Sequence, residues 1–218
     1  MKLAEINIYR MTHIKNIPHI IKYGITHKDS PFANNEFITI GDISLIDTRS
    51  TKVVSVDNGN YLNFNAPTIT LGDYIPFYFG VKMPMLYVMQ NGGNFVERAT
   101  PAKDIIYLAC PLSRVIELGN DYYFSDGHGT DSLTTFYDKR KIKELPTIVD
   151  WDAIRASYWG GQENLNLKRK KQAEFLVSND LPSNIIRGFG CYNQDAKDKL
   201  INLGIDDEKI KIIPKAYY

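Results

Sequence analysis

A chain of 218 residues is long enough to bury a core, and it reads as one domain over 1–218, with 26 Lys+Arg against 25 Asp+Glu. That balance leaves no global basic footprint, so any nucleic-acid binding has to rest on a local patch. Two cysteines, Cys110 and Cys191, with no CxxC pair argue against a disulfide framework or a zinc site. With no signal-type apolar segment and no run near the ~18 residues that span a bilayer, a cytoplasmic protein without membrane contact is expected.

Along the chain, residues 6–11 alternate apolar and polar as a half-buried strand does. A short helix should follow, with Asn16 as N-cap, Pro18 in its first turn, Ile17, Ile20 and Ile21 as its apolar stripe and Gly24 as its left-handed stop. Residues 27–40 carry Pro31 and Asn34-Asn35 with little periodicity, and a loop of that length is a candidate ligand lid. The runs 74–79, 85–89 and 105–109 read as strands of a central sheet.

Pro111 begins a helix ending near Gly119, and a second helical stretch is expected at 131–143 after the turn-like Ser125-Asp126-Gly127-His128-Gly129. Asp150 reads as the N-cap of a third helix carrying Trp151, Ile154 and Tyr158, with Trp151 and Trp159 eight apart and near one face. A strand at 185–191, a helix at 195–203 ended by Gly204 and a strand at 210–213 close the pattern. The fold class is α+β, without internal repeats or low-complexity tracts.

No Walker A loop, GxGxxG, GxSxG or HExxH is present, and His13, His19, His27 and His128 are scattered, with none at metal-ligand spacing except the weak His13/His19 pair across a Pro. No metal is expected. What stands out is Lys168-Arg169-Lys170-Lys171-Gln172-Ala173-Glu174-Phe175-Leu176-Val177, where a cationic loop gives way to an apolar strand with one carboxylate at the junction. The loop could attract a polyanion while the strand holds Glu174 rigid. A carboxylate there suits cleavage of an N-glycosidic bond, because it can hold a ribose hydroxyl and stabilise oxocarbenium-like charge. A solvated surface charge is the commoner reading of a lone Glu at a strand start, and a cationic run is commonly a solvated face. Removing this carboxylate should cost no core volume and leave the fold intact.

Several blocks in order along the chain resemble one family. They are Ile8-Tyr9-Arg10-Met11-Thr12-His13, Gly41-Asp42-Ile43-Ser44-Leu45-Ile46-Asp47-Thr48-Arg49, Asp73-Tyr74-Ile75-Pro76-Phe77-Tyr78-Phe79, Ser125-Asp126-Gly127-His128, Asp152-Ala153-Ile154-Arg155 and Lys171-Gln172-Ala173-Glu174-Phe175-Leu176-Val177. The chain resembles the DarT family of DNA ADP-ribosyltransferase toxins. The resemblance implies an ADP-ribosyltransferase-like split mixed β-sheet flanked by helices, NAD as co-substrate, single-stranded DNA as acceptor and a cognate antitoxin, of macrodomain or NADAR type, that reverses the modification.

Carried over residue by residue, the resemblance makes Glu174 and Arg49 catalytic. It implies NAD contacts at Arg10, Thr12, His13, Gly24 and Arg49, a cofactor-covering loop from about 27 to 49, and a substrate loop from about 121 to 174. Nucleic-acid contacts are implied at Lys82, Met83, His128, Lys168, Arg169, Lys170 and Lys171. Better-known members carry a second arginine where this chain has Ser50, and a Pro-Arg-Ser-Pro-Met run where it has Val81-Lys82-Met83-Pro84-Met85. The second departure leaves both thymine and guanine open as the target base. The rival readings are an ADP-ribosyltransferase acting on RNA or protein, and a non-enzymatic nucleic-acid-binding module.

Overall fold

The computed structural model describes residues 2–57, 66–92, 96 and 98–218. Its strands are β1 (Asn7–His13), β2 (Val53–Asp57), β3 (Thr68–Thr70), β4 (Ile75–Tyr78), β5 (Ile105–Pro111), β6 (Tyr122–Ser125), β7 (Phe136–Tyr137), β8 (Glu174–Val177), β9 (Gly188–Cys191) and β10 (Ile210–Ile212). They form one mixed sheet in the order β10-β9-β5-β1-β4-β8-β6-β7-β2-β3. The helices are α1 (Ile17–Tyr23), α2 (Ile43–Thr51), α3 (Pro84–Asn91), α4 (Leu112–Glu117), α5 (Leu145–Ile148), α6 (Trp151–Arg155), α7 (Leu165–Lys171) and α8 (Gln194–Asn202). None of the described helices is long and apolar enough to cross a membrane.

The sheet almost parts in its middle. β1 pairs with β5 through seven residues, from Asn7↔Pro111 to His13↔Ile105, but meets β4 only at Tyr9↔Tyr78. The residues at the joint account for this. Pro76 has no N–H to offer a ladder, and its carbonyl accepts a 2.9 Å hydrogen bond from Nη1 of Arg10. The Arg10 guanidinium is thus wedged between the two halves, where burial lowers its pKa to about 10. One face of the sheet carries the main core, including Ile8, Phe77, Phe124 and Phe175, each 0% exposed. Burying such a side chain stabilises by roughly 1.5–3 kcal/mol. The other face packs Met11, Tyr107 and Tyr217 under α3.

Several local expectations are corrected. Residues 85–89 are helical: Pro84 starts α3, Leu86 and Met89 face inward three apart, and Gly92 at φ 70 closes it. The stretch 131–143 is a loop, the two-residue strand β7 and a 3₁₀ turn (Lys139–Glu144), because Phe136 is needed to fill the sheet beside Val56 and Leu176. Only Gly188–Cys191 of the expected strand at 185–191 is extended in the sheet. α6 stops at Arg155, so Trp151 and Trp159 do not share a helix: Trp151 packs edge-on against Phe79, while Nε1 of Trp159 donates to the Tyr218 hydroxyl. Asp150 does cap α6, accepting from the Ala153 N–H at 3.0 Å. Both cysteines are buried free thiols.

Candidate active site

β8 begins at Glu174, in register with Tyr78 of β4. The Glu174 N–H donates to Ser125 Oγ (3.0 Å), and that hydroxyl donates to the Gly127 carbonyl (2.7 Å), so the carboxylate stands on a backbone tied to the end of β6. Glu174 is 0% exposed. The Gly129 N–H donates to its Oε1 at 2.9 Å, and Nη1 of Arg49 donates to the same oxygen at 2.9 Å. Arg49, on the last turn of α2, also places Nη2 2.8 Å from Oε2. This second contact is an ion pair without hydrogen-bond alignment, and Nη2 and Oε2 are buried with no other partner among the described residues.

Burial on its own would lower the Arg49 pKa, but the charge and hydrogen bond of Glu174 outweigh it and hold the guanidinium above its ordinary value. Gly129 leaves room for the pair: a Cβ there would stand 2.8 Å from Nη1 of Arg49 and 3.0 Å from Oε1 of Glu174, so one of the two side chains would have to shift.

Arg49 lines a cavity of about 170 Å³ together with Arg10, Met11, Phe37, Tyr78 and His128. Glu174 lies directly behind Arg49. A neighbouring depression of about 450 Å³ contains His13, Lys15 and Arg98 and shares Thr39, Ile40 and Gly41 with the cavity. Burial keeps the His128 imidazole below the ordinary histidine value, although Glu174 pulls the other way, and burial likewise lowers His13. Burial raises the Tyr78 phenol, so it stays protonated next to the pair.

The 27–42 segment borders this cavity and is fastened at several points. The His27 N–H donates to Asp180 Oδ1 (2.7 Å), and Asp42 caps α2 by accepting from the Leu45 N–H (3.1 Å). Between them Asn16, 1% exposed, donates Nδ2 to the Ile38 carbonyl (2.9 Å) and accepts from the Ile38 N–H (2.9 Å). Asn16 therefore occupies the N-cap position of α1 without capping it; its side chain is committed to the loop. Phe37, 45% exposed, remains at the cavity mouth.

Arg10, Arg49, Glu174 and His128 are thus brought together, with His13 in the adjoining depression. Other candidates are not. Thr12 is 2% exposed and accepts from Asn16 Nδ2. Gly24, at φ 85, is packed so tightly on the Leu181 carbonyl that no Cβ fits, which makes it a helix stop and not a cofactor contact. Met83 is 0% exposed in the core under α3, out of reach of nucleic acid. Lys82, at φ 57, lies at the surface with Nζ 5.0 Å from the Tyr218 ring centre.

The cationic run is a helix, not a loop, and two of its members face inward. Arg169, 8% exposed, donates Nη1 to Asp126 Oδ1 (3.0 Å) while its carbonyl accepts from the His128 N–H (3.0 Å), bracing the loop that presents Gly129. Lys171 is 1% exposed and donates to the Ile154 carbonyl at 2.8 Å. Lys170 is paired with Asp150 and only Lys168 is exposed, with Nζ 5.2 Å from the Trp159 ring centre. An open patch of four phosphate-attracting cations is therefore corrected to one exposed lysine and three tethered side chains. Sequence reasoning missed Tyr78 and Gly129 at the site. The glycine's signal was present in the Gly127-His128-Gly129 turn, and Tyr78 lies within the 73–79 block, where nothing singled it out from Tyr74, Phe77 and Phe79.

Among the described residues, no group of three or more His, Cys, Asp or Glu is placed to hold a metal ion.

A family model described as "ssDNA thymidine ADP-ribosyltransferase, DarT" matches residues 9–218. A DNA ADP-ribosyl transferase of Thermus sp. (strain 2.9) is 31% identical over 198 residues, covering 90% of this chain and 86% of that protein. A DNA ADP-ribosyl transferase-DNA ADP-ribosyl glycohydrolase fusion protein of Thermosipho africanus is 26% identical over 208 residues, 95% of this chain and 47% of that protein. The Thermus sp. 2.9 DarT structure in complex with ADP-ribosylated ssDNA superposes with a TM-score of 0.79 at 29% identity, covering 97% of this chain and 96% of that one. Its complex with NAD+ superposes at 0.74 with 28% identity, covering 97% of each chain.

Proposed function

The chain belongs to the DarT family, and from that premise we propose that it is a toxin-type enzyme that transfers ADP-ribose from NAD to a nucleobase of single-stranded DNA and releases nicotinamide. The observation that carries this reading is the buried Arg49–Glu174 pair at the parted centre of the sheet, whose Nη2 and Oε2 face each other at 2.8 Å without hydrogen-bond alignment, behind a cavity. Those two atoms suit NAD, since Oε2 of Glu174 can accept from a ribose hydroxyl and Nη2 of Arg49 can donate to a phosphate or carbonyl oxygen. The depression around His13 and Arg98 has room for the rest of the dinucleotide beneath the 27–42 segment. The Thermus relative solved with NAD+ supports the same assignment.

In the transfer, the glycosidic bond between nicotinamide and the ribose anomeric carbon breaks and a bond from that carbon to a base nitrogen forms. Nicotinamide leaves with the bonding pair, and the base loses its N–H proton. Glu174 holds the ribose and stabilises the positive charge that develops on it, in a site from which solvent is excluded. Arg49 holds the carboxylate in place before NAD arrives and withdraws electron density from the base carbonyl it faces. Arg10 adds a second fixed positive charge at the cavity wall. His128, neutral near neutral pH, is available to accept a hydrogen bond or the base proton.

We take thymine as the acceptor on the family description and single-stranded DNA as the substrate form, since a base inside a duplex cannot reach a buried carboxylate. The whole of 1–218 acts as one catalytic unit in this reading, in the cytoplasm where NAD and DNA meet. A partner that hydrolyses the modification fits the glycohydrolase fused to the Thermosipho relative. Labelled NAD offered with single-stranded DNA, RNA and protein, followed by mass spectrometry of the nucleosides, tests the assignment. Label on thymidine supports it, label on guanosine moves the acceptor, and label on RNA or protein alone overturns the DNA reading.

A further inference from the structure

Past the Tyr9–Tyr78 joint, away from the cavity, β1 and β4 diverge again, and the gap holds a depression of about 460 Å³. Lys82, Arg155, Lys171 and Lys215 line it against a single carboxylate, Glu5. A second depression of about 800 Å³ shares Asn7, Tyr9, Val81 and Lys215 with it and adds Arg187, Lys209 and Lys211 against Glu208. The two make one continuous trough with a strong excess of positive charge on a chain whose net charge is only +1.

Lys171 is the informative member. It is 1% exposed, and lysines are almost never buried without a partner charge. Among the described residues no carboxylate stands within ion-pair distance of it, nor of Lys82 or Lys215. One of its three donors is used, on the Ile154 carbonyl that ends α6. The fold keeps a buried ammonium beside other cations and faces it into a cavity, an arrangement that an incoming anion completes. Burial lowers its pKa to about 8, with Lys82 adding to the effect, so an anion would draw a proton onto it near that pH. Beside Lys82 the rings of Tyr87, Trp159 and Tyr218 meet edge to face at the surface, offering faces on which bases can stack.

We propose that this trough is a phosphodiester track: Lys171, Lys82 and Lys215 hold one backbone phosphate of the DNA strand whose base is presented to Arg49 and Glu174, and the second depression carries the strand onward. The proposal rests on the DNA reading above, and it moves strand guidance from the surface of the 168–171 helix to the pocket beneath it.

The test is fluorescence anisotropy of a labelled, mixed-sequence single-stranded oligodeoxynucleotide over a range of salt concentrations, for the wild type, Lys82→Gln, Lys215→Gln and Lys171→Met. Each variant should lower the slope of log K against log salt, by at most about 0.7, the single-strand value for one lost phosphate contact. Wild type should take up protons on binding near pH 8, and Lys171→Met should lose that uptake. Lys215 is exposed, so Lys215→Gln decides the matter even if Lys171→Met does not fold. Binding by wild type with slopes unchanged in the variants overturns the track and leaves the DNA reading standing. No wild-type binding at all refutes the DNA reading and the track with it. If inorganic phosphate raises the wild-type melting temperature as much as the oligonucleotide does while the slopes stay unchanged, the pocket takes small anions only and the track is overturned.

Discussion

Replacing Glu174 separates its two functions. Glu174→Ala leaves the Arg49 guanidinium, whose side chain is only 16% exposed, without its partner and takes a hydrogen bond from the Gly129 N–H. Breaking a buried ion pair from one side costs about 3–5 kcal/mol. For a chain of this size each kcal/mol is worth roughly 2–4 °C, so the melting temperature should fall by roughly 6–20 °C. Removing a carboxylate from this strand end therefore costs stability, contrary to the expectation from sequence that the fold would be left intact. Glu174→Gln keeps the volume and an oxygen for the Gly129 N–H, so its loss should be smaller, roughly 1–3 kcal/mol. Both changes should lower transfer by a factor of about 10²–10³ or more, because neither leaves a charge to stabilise the reacting ribose. Arg49→Met combined with Glu174→Met should recover much of the stability lost in Glu174→Ala and none of the activity. The assays are thermal unfolding and nicotinamide release with single-stranded DNA on the same preparations. Wild-type turnover in Glu174→Gln would refute catalysis by this carboxylate, and a wild-type melting temperature in Glu174→Ala would refute the energetic account of the pair.

Gly129→Ala should lower both activity and melting temperature, because its Cβ presses on Nη1 of Arg49 and Oε1 of Glu174; equal turnover by wild type and variant would count against the geometry. Asn16→Leu removes both hydrogen bonds to Ile38, leaving donors and acceptors unmatched at a cost of about 1–3 kcal/mol, and should speed limited proteolysis within 27–42 and raise KM for NAD more than it lowers kcat. His13 and His128 have folded pKa values below 6.5, so the unfolded chain binds more protons as pH falls through 6.5 toward those values, and stability should fall with it; urea unfolding at pH 7 and below 6 should show this, with a smaller dependence in His128→Gln. Lys171 has the same sign in another window: with a folded pKa of about 8 against 10.5, its contribution makes stability rise as pH goes from 8 toward 10, and Lys171→Met should lose that rise.

Features that depend on near neighbours were legible in the sequence. The Asp150 cap, the stop at Gly24 and the start of an apolar strand at Glu174 each follow from a few adjacent residues, and each is present, whereas β1 is extended as expected but buried on both faces, with Ile8 in one core and Met11 in the other. The family's blocks, read in order, pointed to Arg49 and Glu174. The run 85–89 failed because a short apolar segment satisfies strand and helix alike until its packing partner is known, and here the sheet face under Met11 and Tyr107 takes a helix. Tertiary structure alone decided that Arg49 and Glu174, 125 positions apart, share a buried pair. It also decided that Arg10 wedges the sheet open at Pro76 and that Asn16 serves the loop and not its helix. The four adjacent cations met four different fates for the same reason: Asp126, Asp150, the Ile154 carbonyl and the Trp159 ring are brought to them by other elements of the fold. Whether a charge lies in water or in the interior depends on what folds over it, and the identity of the residue does not carry that information.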